Sequence, residues 1–121
     1  MIAVKSVINK IRKSGLTISF AESCSGGNIA AEVIKISGVS DIFVGGVVTY
    51  SDKAKIDVLK ITKQDINKFG VVSENIAFLM AKNSKELFKT SLSLATTGNV
   101  GPLSSDNLSL IHISEPTRPS L

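Results

Sequence analysis

The sequence contains few of the side chains on which most catalytic and metal sites depend. Among its 121 residues there are one cysteine, Cys24, and one histidine, His112. The single cysteine excludes an internal disulfide and any multi-cysteine metal site. Aromatic residues make up only 5% of the chain, and no basic surface interleaved with aromatic residues can be read from it. Direct binding of nucleic acid is therefore not expected.

Long apolar runs are also missing. No run approaches the roughly 18 to 20 apolar residues that a helix needs to cross a bilayer. The N-terminal stretch breaks its apolar positions with Lys, Asn and Arg at helical spacing, which indicates an amphipathic helix of the mature protein and not a targeting segment. The sequence therefore predicts a cytoplasmic protein that does not bind membranes.

The composition is otherwise ordinary for one globular domain. Apolar residues make up 43% and charged residues 20% of the chain, which is long enough for a single hydrophobic core. The net charge is +4, and positive residues crowd one stretch that contains Lys53, Lys55, Lys60, Lys63 and Lys68. Such a cluster can favour a phosphorylated small molecule, although a solvated helix face explains most of these lysines.

Helix and strand patterns alternate along the chain. Strands are predicted over Leu16–Phe20, over Asp41–Tyr50 with a bend at Gly45-Gly46, and over Ser91–Thr96; helices are predicted over Val4–Ser14, Gly26–Ile36, Ser51–Leu59, Thr62–Gly70 and Ser73–Thr90. This alternation predicts an α/β fold of three layers, α/β/α, around a mostly parallel mixed sheet. Ligands of such sheets bind at the carboxyl ends of the strands, where the turn after Phe20 and the glycine-containing loop Thr97–Pro102 are expected.

The turn after the first strand holds three candidate nucleophiles, Ser23, Cys24 and Ser25. The N–H groups at a helix start carry partial positive charge, and Gly26 and Gly27 allow a ligand to approach the backbone closely. This turn can therefore hold an anion or an oxyanion. A packing turn of small residues fits the same pattern, and Ser23 also fits a helix cap. Cys24 is more typical of a small buried hydrophobic residue than of a nucleophile.

A serine nucleophile in this chain needs a base other than histidine if His112 lies outside the domain. Lysine can serve as that base when burial or a neighbouring cation keeps it neutral. Lys55 is the best candidate, because a short helix that begins at Ser51 holds it within one turn of Tyr50 at a strand end. Taken alone, Tyr50 is an ordinary strand aromatic and Lys55 an ordinary surface charge.

The end of the chain follows a different pattern. All three prolines lie at or after position 102, and no periodicity continues beyond about Ser105. The string LSLIHISEPTR, Leu108 to Arg118, resembles the conceptual translation of a transposase-type sequencing adaptor at every position. We therefore predict a domain over residues 1–107 and a non-native tail over residues 108–121. The alternative is a native disordered tail.

Four motifs occur in order along the domain. They are AESCSGG (Ala21 to Gly27), GGVVTYSDKAK (Gly45 to Lys55), GVVSE (Gly70 to Glu74) and TTGNVGP (Thr96 to Pro102). Together they resemble the CinA C-terminal domain family, whose stand-alone form is nicotinamide-nucleotide amidohydrolase. The resemblance implies hydrolysis of nicotinamide mononucleotide to nicotinic acid mononucleotide and ammonia, in salvage of pyridine nucleotides.

The resemblance also implies roles for single residues. Ser23 is implied as the nucleophile, Lys55 as the base that takes its proton, and Tyr50 as a hydroxyl that orients or relays the proton. Substrate binding is implied for Cys24, Ser25, Gly26, Gly27, Thr97 and Gly98. No metal and no cofactor are implied. The expected partner is the small nucleotide substrate, and a homodimer is usual in the family for full-length members.

The chain departs from the family after Pro102. Family members continue there with a glycine-rich loop, another strand and a C-terminal helix with basic residues, and we expect this last strand and helix to be missing here. A sheet without that strand exposes an edge, and a lost basic residue weakens binding of a substrate phosphate. The chain as written is therefore expected to be poorly stable or inactive.

Two further expectations concern the whole protein. The N-terminal domain of longer family members is expected to be absent, because the first predicted strand begins fifteen residues after Met1. The alternative to an amidase is a non-catalytic nucleotide-binding or competence-associated module of the same fold, or an inactive fragment, because fold and function are separable.

Overall fold

The computed structural model describes residues 2–99 and 108–114. Helices and strands alternate as predicted, with bounds that differ by a few residues. The helices are α1 (Ile2–Lys13), α2 (Asn28–Val33), α3 (Asp52–Asp57), α4 (Lys63–Phe69) and α5 (Glu74–Phe88), with a short 3₁₀ helix at Val39–Asp41; the strands are β1 (Ile18–Glu22), β2 (Phe43–Val48), β3 (Leu92–Asn99) and β4 (Leu108–Ser114).

The four strands form one sheet in the order β2-β1-β3-β4. Strand β1 is parallel to β2 and to β3, whereas β4 is antiparallel to β3. The predicted mixed, mostly parallel sheet is therefore confirmed. Because β1 lies between β2 and β3, the loop that follows β1 begins between the carboxyl ends of its two parallel neighbours.

Two hydrophobic cores cover the two faces of this sheet and complete the predicted α/β/α layers. One core joins α1 and α2 to the sheet through Ile8, Ile11, Ile18, Phe20, Val33, Val39 and Ile42. The other joins α4 and α5, with the segment after α3, to the opposite face through Ala21, Leu59, Ile61, Ile66, Ile76, Met80, Ala81 and Ala95. Phe20 and Ala21 point to opposite faces, as successive strand residues must.

Three helices begin directly after Ser51, Thr62 and Ser73, the residues at which the predicted helices begin. The side-chain oxygens of Ser51, Thr62 and Ser73 each accept a hydrogen bond from the backbone N–H three residues later, at 3.1 Å. This contact satisfies one of the N–H groups that a helix start leaves unpaired. The first of these caps fixes where α3 begins and so which residues it turns toward the sheet.

The predicted bend in β2 is one residue earlier than expected. Ile18 pairs with Phe43 and Ser19 pairs with Gly45, so Val44 is an extra residue in β2. The glycines that follow have a packing role instead. A Cβ on Gly46 would lie 3.0 Å from the main-chain oxygen of Phe20, a tight contact that requires the neighbouring backbone to move by a few tenths of an ångström.

The C-terminal part differs from the prediction. Thr97, Gly98 and Asn99 belong to β3 and not to a loop, and each pairs with a residue of β4. We expected no strand beyond Ser105, yet residues 108–114 pair with β3 from Ser93 to Asn99. The edge of β3 presents a row of N–H and C=O groups that an extended segment can pair with. Residues 100–107, which include the rest of the predicted loop, lie outside the described residues. Residues 115–121 also lie outside them, so the expectation that the family's C-terminal helix is missing is not tested there.

Candidate active site

The structure brings Ser23 and Lys55 together at the carboxyl end of the sheet. Ser23 follows β1 directly, and Lys55 lies in α3, which follows β2. The ammonium nitrogen of Lys55 lies 3.1 Å from the hydroxyl oxygen of Ser23. Both residues are buried, with 0% of Lys55 and 4% of Ser23 exposed. A nucleophile and a base predicted from separate motifs are thus within hydrogen-bonding distance.

Main-chain groups hold Lys55 in place. Its Nζ donates to the carbonyl oxygens of Thr49 at 2.8 Å and Tyr50 at 3.3 Å, in addition to Ser23. These three acceptors match the three N–H donors of an ammonium group. The ammonium of Lys55 is therefore fully hydrogen-bonded, although no carboxylate of the described residues forms an ion pair with it.

Burial lowers the pKa of Lys55 below its usual value of 10.5. The cause is desolvation, which disfavours the charged form of a buried amine. The negative charge of Asp52, and after it that of a Cys24 thiolate, raises the pKa of Lys55 and offsets part of the shift. A lower pKa makes the neutral amine more accessible near physiological pH, and only the neutral amine can accept the proton of the Ser23 hydroxyl.

Glu22 occupies the N–H groups at the start of α2. Its Oε1 accepts from Ile29 N–H and its Oε2 from Ala30 N–H, each at 2.9 Å. These two donors are consequently occupied by a carboxylate of the protein itself. In the described part of the chain the N–H groups of Ser25 and Gly27 make no hydrogen bond, and they are the donors left for an oxyanion.

The backbone of this turn depends on two glycines. Gly26 has φ +62° and Gly27 has φ +95°, a left-handed conformation that side chains with a Cβ rarely adopt. A Cβ on Gly27 would also lie 3.3 Å from Val48. The Gly-Gly pair therefore permits the sharp change of direction between β1 and α2 that leaves Ser23 at the end of the strand.

The hydroxyl of Ser25 is directed into the protein. It donates to Glu22 Oε1 at 2.7 Å and lies 2.7 Å from Thr96 Oγ1. The same Thr96 oxygen accepts from the backbone N–H of Ser23 at 3.4 Å. Ser25 was expected to bind substrate, but its side chain links Glu22 to β3. Half-buried Cys24 lies between the two serines.

The remaining predicted site residues, Tyr50, Thr97 and Gly98, differ in their exposure to solvent. Tyr50 is 72% exposed, and among the described residues its hydroxyl has no hydrogen-bond partner. Its hydrogen bond with Lys55 is made by its main-chain carbonyl. Thr97 is buried, and its hydroxyl donates to the carbonyl of Val71 at 2.9 Å. Gly98 follows it in β3.

Two buried residues of this region were not predicted, Glu22 and Thr96. Glu22 belongs to the motif AESCSGG and ends β1, and Thr96 belongs to the motif TTGNVGP and lies in β3. The sequence offered no local signal for Glu22, because it precedes the start of α2 by six residues, and acidic residues are favoured only in the first turn of a helix. Among residues 2–99 and 108–114 no group of three or more His, Cys, Asp or Glu side chains could hold a metal ion. No helix in that part of the chain is long and apolar enough to cross a membrane.

The sequence profile of the CinA C-terminal domain matches residues 2–109. The chain belongs to the CinA C-terminal domain family. A CinA-like protein of Kosmotoga olearia is 44% identical over 96 residues, which are 79% of this chain and 23% of that protein. A CinA-like protein of Flavobacterium psychrophilum is 50% identical over 91 residues, which are 75% of this chain and 22% of that protein. The chain thus spans about a quarter of the length of these CinA-like relatives.

Solved structures of the CinA superfamily share this fold. A competence/damage inducible protein, CihA, from Agrobacterium tumefaciens superposes with a TM-score of 0.81 at 29% identity, covering 91% of this chain and 76% of that one. A CinA superfamily protein from Escherichia coli superposes with a TM-score of 0.81 at 22% identity, covering 95% of this chain and 76% of that one. The α/β architecture of the CinA domain is therefore common to both.

Proposed function

We propose that this CinA domain hydrolyses the amide of nicotinamide mononucleotide to nicotinic acid mononucleotide and ammonia. The observation that carries the proposal is the 3.1 Å contact between Lys55 Nζ and Ser23 Oγ in a buried setting. Amide hydrolysis through an acyl-enzyme needs an activated nucleophile, a proton donor for the leaving amine and donors for the oxyanion. Ser23 is the candidate nucleophile, Lys55 is the candidate proton donor, and the backbone N–H groups of the turn are the candidate oxyanion donors.

In the first half of the proposed reaction, Ser23 Oγ forms a bond to the amide carbon and its proton moves to the neutral amine of Lys55. The negative charge that develops on the amide oxygen is stabilised by backbone N–H groups of the turn, with Ser25 and Gly27 as candidate donors. Lys55 then gives its proton to the amide nitrogen. The C–N bond breaks, ammonia leaves, and Ser23 carries the acyl group.

In the second half, water replaces ammonia. Lys55 takes a proton from a water molecule whose oxygen attacks the acyl carbon, and it returns that proton to Ser23 Oγ as the ester bond breaks. One water molecule is consumed, and nicotinic acid mononucleotide leaves with Ser23 and Lys55 in their starting states. Burial of Lys55 suits both halves, because a lysine with a lowered pKa exchanges a proton more readily in each direction.

The alternative is a nucleotide-binding or competence-associated module without catalysis. The names of several relatives, such as the putative competence-damage inducible protein of Natranaerobius thermophilus, motivate it. A binding module has no need to bury a lysine against a serine hydroxyl, and burying a lysine is costly. The site geometry therefore favours the amidase.

The test is ammonia release from nicotinamide mononucleotide, measured with a coupled glutamate dehydrogenase assay. The parent protein in this and the following experiments is the product of the complete gene, because the chain as written is expected to be poorly stable or inactive. We expect release by this parent and loss of release in Ser23→Ala and in Lys55→Ala. The matched control is Lys53→Ala, because Lys53 lies in the same helix but points to solvent and pairs with Asp57. No release by the parent at any pH, with nucleotide binding retained, would favour the binding module.

A further inference from the structure

Glu22 is a buried acid that the proposed mechanism does not use. It is the last residue of β1 and only 1% exposed. No lysine or arginine among the described residues pairs with it. Three hydrogen bonds satisfy its carboxylate instead, from the N–H groups of Ile29 and Ala30 and from the hydroxyl of Ser25. The partial positive charge of the helix start stabilises this carboxylate in place of a cation.

These contacts lead from Glu22 to the nucleophile. The hydroxyl of Ser25 joins Glu22 to Thr96, and Thr96 accepts from the backbone N–H of Ser23. The carboxylate thus ties the start of α2, the turn and the end of β3 into one network. The turn has two glycines in the left-handed conformation and contributes few side chains of its own to packing. The network adds to the backbone hydrogen bonds within the turn, from Gly26 N–H to Ser23 and from Asn28 N–H to Ser25, and it is what connects the turn to α2 and β3.

The side chain of Glu22 lies on the face of the sheet opposite to the Ser23 hydroxyl and Lys55. Glu22 and Ser23 are consecutive, so their side chains point to opposite faces. The side chain of Glu22 lies toward α2, whereas that of Ser23 lies toward Lys55. Glu22 therefore has no contact with Lys55, and it can influence the reaction only through the backbone that carries Ser23.

We infer that Glu22 is a positioning residue for the Ser23 nucleophile, which it aligns with Lys55 by anchoring the Ser23–Gly27 turn to α2 and β3. This inference rests on the proposed function. A carboxylate is required because one side chain must accept two backbone N–H groups and one hydroxyl at once. Glutamine has a single acceptor oxygen, and its amide nitrogen would face a donor.

The experiment measures the reactivity of Ser23 with a small alkyl fluorophosphonate. This reagent phosphonylates an activated serine with loss of fluoride and needs no nucleotide recognition, so its rate reports the nucleophile alone. Intact mass spectrometry gives the rate, and circular dichroism at the assay temperature gives the folded fraction. The same preparations are assayed for kcat and KM with nicotinamide mononucleotide.

We expect Glu22→Gln to slow phosphonylation about 100-fold per folded molecule, because a small misplacement of a reacting atom has an effect of that order. The value of kcat should fall in parallel while KM changes little. Ser25→Ala removes the hydroxyl between Glu22 and Thr96 and should slow phosphonylation about tenfold. The double variant should be no slower than Glu22→Gln, because the two residues act in one network. The control is Glu32→Gln, which removes an acid of α2 that pairs with Lys35 on the surface.

A folded Glu22→Gln variant that reacts at the parental rate overturns the inference. If Glu22→Gln does not fold, the Ser25→Ala variant is the test instead. Phosphonylation of Ser25→Ala at the parental rate would also overturn the inference. A parent that is phosphonylated at Ser23 but releases no ammonia refutes the proposed amidase, while the ranking of the variants still tests Glu22. A parent that is not phosphonylated at Ser23 overturns the inference as well.

Discussion

The Nζ atom of Lys55 lies 3.1 Å from Ser23 Oγ although the two residues are 32 positions apart in the sequence. Their contact depends on the parallel pairing of β1 with β2, since Ser23 follows the first strand and Lys55 lies one short helix beyond the second. We propose that these two residues act as one catalytic unit, the Ser23–Lys55 pair.

A catalytic unit makes the effects of its members non-additive. We expect Ser23→Ala and Lys55→Met each to lower kcat for nicotinamide mononucleotide by about 1000-fold or more. The double variant should be no slower than the slower single variant, because either change already removes the attack by an activated serine. Steady-state kinetics of the parent and the three variants check this, and losses that multiply in the double variant would mean that the residues act independently.

The buried setting of Lys55 predicts the pH dependence of the reaction. The base must be neutral, so kcat/KM should rise with pH and level off above the pKa of Lys55 in the free protein. Because burial lowers that pKa, the midpoint should lie below 10.5. Asp52→Asn should move the midpoint further down, since the charge of Asp52 raises the pKa of Lys55. Lys53→Met should leave it unchanged, and a parental midpoint at or above 10.5 would contradict the assignment.

The hydroxyl of Thr49 is buried and has no hydrogen-bond partner among the described residues. Thr49→Val replaces this hydroxyl with a methyl group of similar size, so we expect the free energy of unfolding to rise by about 1 kcal/mol. Thr97→Val is the matched comparison, because the hydroxyl of Thr97 donates to Val71. That variant should lower the free energy of unfolding by about 1 kcal/mol. Urea unfolding of both variants checks the pair, and two changes of the same sign would be inconsistent with this account.

Close approach of β2 to β1 requires a glycine at position 46. A Cβ there would meet the main-chain oxygen of Phe20 at 3.0 Å, and a backbone atom of a central strand cannot move aside easily. We expect Gly46→Ala to lower the free energy of unfolding by about 1 to 3 kcal/mol. The atoms nearest to a Cβ at Gly45 belong to the ring of Phe88, which can shift, so Gly45→Ala should have a smaller effect. Thermal unfolding followed by circular dichroism measures both, and equal effects would count against this explanation.

The tail over residues 108–121 leads to a prediction about the gene. If its resemblance to a translated adaptor is correct, genomic reads across the locus should diverge from this sequence near the codon of Leu108. Long-read resequencing of the locus checks this prediction. Reads that continue unchanged through the codons of residues 108–121 would establish the tail as native.

The sequence was sufficient to predict features that depend on local chemistry. The caps at Ser51, Thr62 and Ser73 follow from side-chain oxygens that reach backbone N–H groups three residues on. The alternation of helices and strands gave the three layers. By contrast, the extra residue at Val44 and the strand over Leu108–Ser114 depend on how neighbouring strands align, and a one-dimensional pattern does not contain that alignment.

The reactive groups of the candidate site could be predicted from sequence motifs. The buried groups that position those reactive groups could not. Ser23 and Lys55 were predicted to meet, and the structure places them in contact. The burial of Glu22 and the inward direction of the Ser25 hydroxyl were not predicted. The direction of the Ser25 hydroxyl depends on Thr96, which lies 71 positions away in the chain and is brought to the turn by the pairing of β1 with β3.

The backbone N–H of Thr49 donates a hydrogen bond to the carbonyl of Glu22 at 2.9 Å. This bond extends the pairing of β1 with β2 to Thr49, whose own carbonyl accepts a hydrogen bond from Lys55. A slip of β2 by one residue would displace Lys55 by about 3.3 Å along the sheet, more than enough to separate it from Ser23. Reactivity of Ser23 would then serve as a sensor of strand alignment. Under mild denaturant it should be lost as soon as β2 detaches, even while the helices are still folded.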